Sequence, residues 1–190
     1  MYFTRKQISL QKPFLLSYSP FLICFFEFKW YNNKVGRCIM KIVVASDSHR
    51  DTEILDKIAS LTNADVYLHA GDSALPAELI RPFISVRGNC DSYPYEISRF
   101  IECGDLKIYI THGHLFSKKR IVKNAKANGC HIAIFGHTHV PEIEEVEGIY
   151  LINPGSVSFP RGSKVKTYIE INYHDLSDLN IKIVEIKGEL

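Results

Sequence analysis

The sequence predicts an α/β fold rich in parallel sheet. Three observations lead there. From Met40 onward, short apolar runs alternate with stretches of helical periodicity. Each run leads into a polar turn carrying Asp, Asn or His. The last third changes to paired runs around tight turns.

The elements follow in chain order. Apolar runs at residues 42–45, 66–68, 83–86, 107–110 and 132–135 read as five buried strands. Between the first two, residues 52–61 place Ile54, Leu55, Ile58 and Leu61 at helical spacing. Between the last two, residues 118–127 form a basic helix, stopped by Gly129. Residues 143–146 and 149–152 flank Glu147-Gly148 as a hairpin, and residues 167–173 and 181–186 read as two further strands. These tail strands are expected to form a second, more antiparallel sheet packed on the first. The span 40–190 suits one domain.

Residues 1–39 differ from the rest. They hold six basic residues against Glu27 alone, a net charge of +5, and ten of the 22 aromatic residues. The remainder carries 17 basic and 20 acidic residues, a net −3. Three readings of this leader are open: an upstream extension from an over-early start, a membrane-associating leader, or a signal peptide. The first ranks highest, because Met40 leads at once into the strand-like run Lys41-Ile42-Val43-Val44-Ala45, and the signal peptide ranks last, because no small-x-small cleavage site follows the apolar stretch. The whole-chain charge of +2 therefore averages two unlike segments, and the acidic body argues against a stable nucleic-acid complex. No run of about 18 uncharged apolar residues is present. Cys90, Cys103 and Cys130 form no CxxC pair, so neither a disulfide framework nor a zinc knuckle is expected, and a reducing cytoplasmic setting is.

The chemistry sits after the strands. Ala45 leads to Asp47 and His49, Leu68 to Asp72, Val86 to Asn89, Ile110 to His112 and Phe135 to His137 and His139. In an open α/β sheet, ligands bind at the carboxyl ends of strands. Seven O and N donors exceed what one tetrahedral zinc ion takes, and suit two ions sharing a carboxylate. Mixed carboxylate and imidazole ligands favour Mn²⁺, Fe, Zn²⁺ or Ni²⁺ over Ca²⁺ or Mg²⁺. Turn and cap chemistry alone accounts for two or three of these residues, but poorly for four histidines.

Asp47-x-His49, Gly71-Asp72, Gly88-Asn89-x-Asp91, His112-Gly113-His114 and Gly136-His137-Thr138-His139, in that order, resemble the calcineurin-like metallophosphoesterase superfamily. Within it the pattern looks like that of the small single-domain YfcE-like phosphodiesterases. The resemblance runs from Met40 nearly to the C-terminus. It implies a four-layer α/β/β/α sandwich. It also implies one ion held by Asp47, His49, Asp72 and His139, and a second held by Asp72, Asn89, His112 and His137, with Asp72 as the bridge. Two divalent ions, two carboxylates and a bridging hydroxide leave a cluster charge of about +1 that attracts phosphate. Such a pair of ions supplies hydroxide and stabilises an in-line displacement at phosphorus.

One position departs from the family pattern. Many members carry His after the Gly-Asn pair as a general acid, whereas this chain has Cys90. His114 becomes the candidate proton donor, and Cys90 is read as a packing residue. Arg87 is a candidate phosphate contact, with a surface salt bridge as its alternative. His69 reads as a core histidine, and His131 and His174 as surface residues. Asn153-Pro154-Gly155-Ser156 also resembles a family segment but reads as a tight turn without a catalytic role. The basic residues of 118–126 read first as a solvated face and second as a means of steering anions.

The expected activity is hydrolysis of small or nucleotide-like phosphodiesters with two divalent ions, Mn²⁺ foremost. Phosphomonoesterase or nucleotide pyrophosphatase activity is the alternative on the same site. A non-catalytic scaffold like the retromer subunit of this fold ranks last, because every ligand position is filled. A homo-oligomer is compatible with the sequence.

Overall fold

The structure is a computed structural model that describes residues 39–162 and 165–187. The leader expected over 1–39 therefore lies outside the described residues, save Ile39. Among the described residues ten strands and two α-helices follow in order, with a short 3-10 turn at Ala77–Ile80: β1 (Met40–Ala45), α1 (Thr52–Thr62), β2 (Val66–His69), β3 (Ile84–Ser85), β4 (Ser98–Cys103), β5 (Leu106–Thr111), α2 (Lys118–Ala127), β6 (Ile132–Ile134), β7 (Pro141–Val146), β8 (Ile149–Pro154), β9 (Thr167–Asp175) and β10 (Asp178–Glu185). No described helix is long and apolar enough to cross a membrane.

Two five-stranded sheets form, in the orders β10-β9-β1-β2-β3 and β4-β5-β6-β8-β7. Both are mixed: β1-β2-β3 and β5-β6-β8 run parallel, and their flanking strands run antiparallel. This corrects one expectation. The tail strands do not make a sheet of their own. β9 and β10 join β1, whereas β7 and β8 join β6. The five apolar runs likewise divide between the sheets. Both sheets bury an inner face, so apolar alternation alone does not say which sheet a strand joins.

The strands are apolar because both faces of each sheet are covered. Ile42, Val44 and Leu68 of one sheet meet Ile108, Ile110, Ile132, Ile134 and Ile152 of the other, making the central core. The alternate residues Val43, Ala45 and Tyr67 point outward to Ile54, Leu55 and Ile58 of α1. Tyr109, Ala133 and Leu151 pack in the same way on Ile121, Val122 and Ala125 of α2. The layers are helix, sheet, sheet, helix. Each fully buried Ile or Leu side chain contributes roughly 1.5–3 kcal/mol.

Local signals set the helix ends. Asp51 accepts from Ile54 N at 3.1 Å and caps α1, and Ser117 accepts from Arg120 N and caps α2. Gly129 has φ +66°, and its neighbour Cys130 N returns to Ala125 O at 2.9 Å, closing α2 as the sequence predicts. The sequence reading missed β4, a half-exposed edge strand bearing Arg99 and Glu102. The Gly104-Asp105 turn joining it to β5 is the signal that reveals it.

Candidate metal centre

The carboxyl ends of β1, β2, β3, β5 and β6 bring the seven predicted ligands together, with each ligand on the loop leaving its strand. Asp47, Asp72, His112 and His139 are buried, His49 is half-buried, and Asn89 and His137 are exposed. Five of the seven hold left-handed backbone: Asp47, His49, Asp72, His137 and His139 have φ between 43° and 68°. Such angles are uncommon outside glycine, and each costs about 1–3 kcal/mol. Their concentration here marks loops held for function.

The first cluster is Asp47, His49 and His139, whose ligand atoms lie within 4.8 Å of one another. Asp47 Oδ2 accepts from Ser46 Oγ at 2.6 Å and from His137 N at 3.2 Å. Its Oδ1 is buried without a hydrogen bond, although His139 Nε2 approaches to 3.1 Å. His139 Nδ1 donates to Phe159 O at 2.6 Å, which leaves Nε2 as the inward lone pair. An orphaned carboxylate oxygen and an imidazole lone pair converging at a buried point suit a cation.

Asp72 belongs to two groups, one with His49 and Cys90 and the other with Asp47 and His112. Its carboxylate thus adjoins both halves of the centre. His112 Nδ1 donates to Ala70 O at 2.7 Å, turning Nε2 toward Asp72 Oδ2 at 3.3 Å and Asn89 Oδ1 at 3.1 Å. His137 Nδ1 reaches the same Asn89 oxygen at 2.9 Å. The donor set fits two divalent ions, since the two carboxylates crowd together with no Lys or Arg ion pair among the described residues.

Charges shift accordingly. Burial pushes the Asp47 carboxyl up, but the approach of His139, the charge of His112 and the Ser46 hydrogen bond outweigh it and hold the pKa below the usual value. Asp72 is also desolvated, yet His112 and the Cys90 N–H hold it well below the carboxylate range. His112 rises because its Asp72 contact and the Asp47 charge overcome burial. His139 rises through its Asp47 contact.

Residues 40–175 match the profile of the calcineurin-like phosphoesterase superfamily domain. The chain belongs to that superfamily. A probable metallophosphoesterase of Bacillus subtilis, YsnB, is 35% identical over 138 residues, 68% of this chain and 82% of that one. The phosphodiesterase YfcE of Escherichia coli is 29% identical over 161 residues, 68% of this chain and 86% of its own. A Streptococcus pneumoniae structure described as a predicted phosphoesterase superposes with a TM-score of 0.72 at 32% identity, covering 78% of this chain and 90% of that one.

The remaining residues of this phosphoesterase domain take distinct places. The His114 ring stands 5.3 Å from His112 and 6.2 Å from His137, and its buried Nδ1 has no hydrogen bond. Burial, then the charges of His112 and His137, lowers its pKa. Arg87 is exposed and makes no ion pair among the described residues, so the salt-bridge alternative is not seen. Cys90 is not the packing residue expected. It is exposed at the rim, with its sulfur near His49 and Asp72, and burial of the thiol together with Asp72 pushes its pKa up to about 11. Cys90 and Cys130 are free thiols.

His69 is a core residue fully buried against Ser48 Oγ at 3.0 Å and Gly71 N at 3.2 Å. His131 and His174 are half-buried rather than surface residues, and His131 Nδ1 accepts from Lys107 N. Lys118 and Lys126 pair with Glu142 and Glu147 of β7 and its turn, as a solvated helix face would.

Sequence reasoning missed the frame around the ligands. Asp91 accepts from the backbone N–H groups of Asp72 (2.9 Å), Gly88 (2.8 Å) and Ala74 (2.6 Å), fixing the Asp72 loop. The segment from Asn153 to Ser156 is more than a turn. Asn153 Nδ2 donates to Gly136 O and Thr138 Oγ1, and Ser156 Oγ donates to Asp47 O at 2.8 Å. The signal lay in the second Asp of Gly-Asn-x-Asp and in the polar residues bracketing Pro154-Gly155. The close approach also dictates Gly88: a Cβ there would stand 2.0 Å from Asp72 Oδ1.

Proposed function

We infer that the chain is a metal-dependent phosphodiesterase of the cytoplasm acting on small, accessible phosphodiesters, with Mn²⁺ as its preferred ion. The observation that carries this reading is the pair of buried carboxylates, Asp47 and Asp72, gathered with His112 and His139 and with no Lys or Arg partner among the described residues. Similarity to the phosphodiesterase YfcE supports the diester over the monoester. Asp47, His49, Asp72 and His139 would hold one ion, and Asp72, Asn89, His112 and His137 the other. Bound there, two divalent ions supply positive charge for the phosphoryl oxygens and lower the pKa of water to near neutrality.

The chain's own groups do the rest. Asp47 and Asp72 stay ionised at neutral pH because their pKa values are lowered. Phe159 O and Ala70 O hold the Nδ1–H groups of His139 and His112, so Nε2 is the ring nitrogen each presents to the centre. Arg87, exposed beside Gly88-Asn89, supplies a fork of N–H donors for a phosphate oxygen. His114 is neutral at pH 7 given its lowered pKa, so it assists the departing oxygen as a hydrogen-bond donor. In the metal-free chain burial and Asp72 keep Cys90 a protonated thiol, and this reading gives it no nucleophilic role.

The test uses the full chain, stripped of metal and reloaded with Mn²⁺. Bis-p-nitrophenyl phosphate is expected to turn over faster than p-nitrophenyl phosphate. Faster monoester turnover would establish the phosphomonoesterase alternative. No retained metal and no turnover would sink the enzymatic reading.

A further inference from the structure

One exposed aromatic residue stands against the candidate centre. Phe159 is 60% exposed, yet it is fixed at three points. Its N–H donates to Ser156 Oγ at 2.8 Å, and its carbonyl accepts from His139 Nδ1 at 2.6 Å. Its ring meets the His49 ring at 5.4 Å between centroids and 70° between planes. The His49 ring lies 5.4 Å from that of His139 in turn. The adjoining chain is cationic. Arg161 N donates to His139 O at 3.0 Å, and the Arg161 charge is felt at both His137 and His139. Val140, next after His139, and Leu115, next after His114, are exposed apolar residues as well.

Covering an apolar ring that stands in water is favourable. Here the backbone beneath the ring is tied on both sides before anything binds, so covering the ring forfeits little backbone entropy. Its place beside His49 and His139 puts it where the ester group of a bound phosphate would lie.

We propose that Phe159 is the specificity-determining surface for the ester group and stacks a planar ring, aryl or nucleoside, of a phosphodiester. The proposal rests on the phosphodiesterase reading and deepens it by naming the substrate class. A phenyl ring has no hydrogen-bonding handle. It therefore separates ring-bearing esters from alkyl esters without telling one base from another.

Binding calorimetry on the Mn²⁺-loaded full chain tests this with thymidine 5′-monophosphate, phenyl phosphate and methyl phosphate. The wild type binds the ring-bearing probes roughly tenfold tighter than methyl phosphate. Phe159→Ala brings that ratio to about one, and Phe159→Tyr retains it. A preference shared by both ring probes assigns rings in general, whereas one confined to thymidine monophosphate assigns nucleosides. An unchanged ratio in Phe159→Ala overturns the proposal. So does loss of bound metal from that variant, which would make Phe159 a support for His49 alone. The two readings fail separately. Ring preference without diester turnover sinks only the phosphodiesterase reading, and turnover without ring preference sinks only this one.

Discussion

The two halves of the candidate centre are built differently. Asp47, Asp72, His112 and His139 are buried, and each is tied to the frame: Asp47 by Ser46 and Ser156, Asp72 by Asp91, His112 by Ala70 and His139 by Phe159. Asn89 and His137 are exposed, and their side chains meet chiefly each other and His112 through one amide oxygen. The inner half is organised by the fold before any ion arrives. The outer half faces solvent, where substrate must enter. Asp72 adjoins both, so its removal gives the largest effect. Asp72→Ala should lower diester turnover by about a thousandfold or more, equivalent to several kcal/mol, and reduce bound metal measured by mass spectrometry. Turnover near the wild-type rate would break the shared-carboxylate assignment.

Asp91 tests whether the frame, rather than the ligands alone, organises the inner half. Asp91→Ala strands the backbone N–H groups of Asp72, Ala74 and Gly88. Each stranded group costs about 1–3 kcal/mol when dry, and the site is only partly buried, so a loss of roughly 3 kcal/mol in urea unfolding is expected. Metal affinity should fall by about 10–100-fold. Asp91→Asn keeps one acceptor oxygen and should recover part of both. An Asp91→Ala variant as stable as wild type would show that the Asp72 loop holds itself.

Much of this was legible in the sequence, for identifiable reasons. The strands after Met40 and both helices follow from apolar period and caps, because α1 and α2 each bury one face. The ligand set was legible because Asp, Asn and His recur after strands. Sheet membership was not, since Ile42 and Ile132 are apolar for the same reason in different sheets. β4 was obscured because an edge strand mixes polar residues such as Arg99 and Glu102 with its apolar ones. Cys90 was misplaced because burial of a cysteine is a tendency of the residue type, whereas its exposure follows from the loop that carries Asn89. The roles of Asp91, Asn153 and Ser156 were hidden because a hydrogen bond to a distant backbone leaves no local pattern.

The frame should also be sensitive to acid. His69 lies inside it, fully buried, and burial lowers its pKa from 6.5 to about 4. Between those values the unfolded chain binds a proton that the folded chain refuses. The contribution is therefore complete above pH 6.5 and is lost as pH falls to 4, amounting to roughly 3 kcal/mol. Asp47 and Asp72, with lowered pKa values, act only below about pH 4. In metal-free protein His112 and His139, with raised values, act above 6.5, where their contribution fades as pH rises. Urea titrations from pH 7 to 4 should show this slope in the wild type and a flatter one in His69→Gln. Equal slopes would remove His69 from the frame.

The finest contrast is between His139 and His137, which belong to one loop and differ mainly in burial. His139 is 6% exposed, with Nδ1 fixed by a carbonyl and Nε2 against Asp47. His137 is exposed and fixed by the Asn89 side chain. A ligand whose orientation the backbone sets forfeits less entropy on binding metal than one set by another mobile side chain. Both alanine variants should bind Mn²⁺ more weakly. His139→Ala should lose about tenfold more affinity than His137→Ala, a difference of about 1.4 kcal/mol. Titration of each metal-free variant measures it directly. Equal losses would mean that burial does not rank the ligands, and a larger loss at His137 would make the exposed half the tighter site.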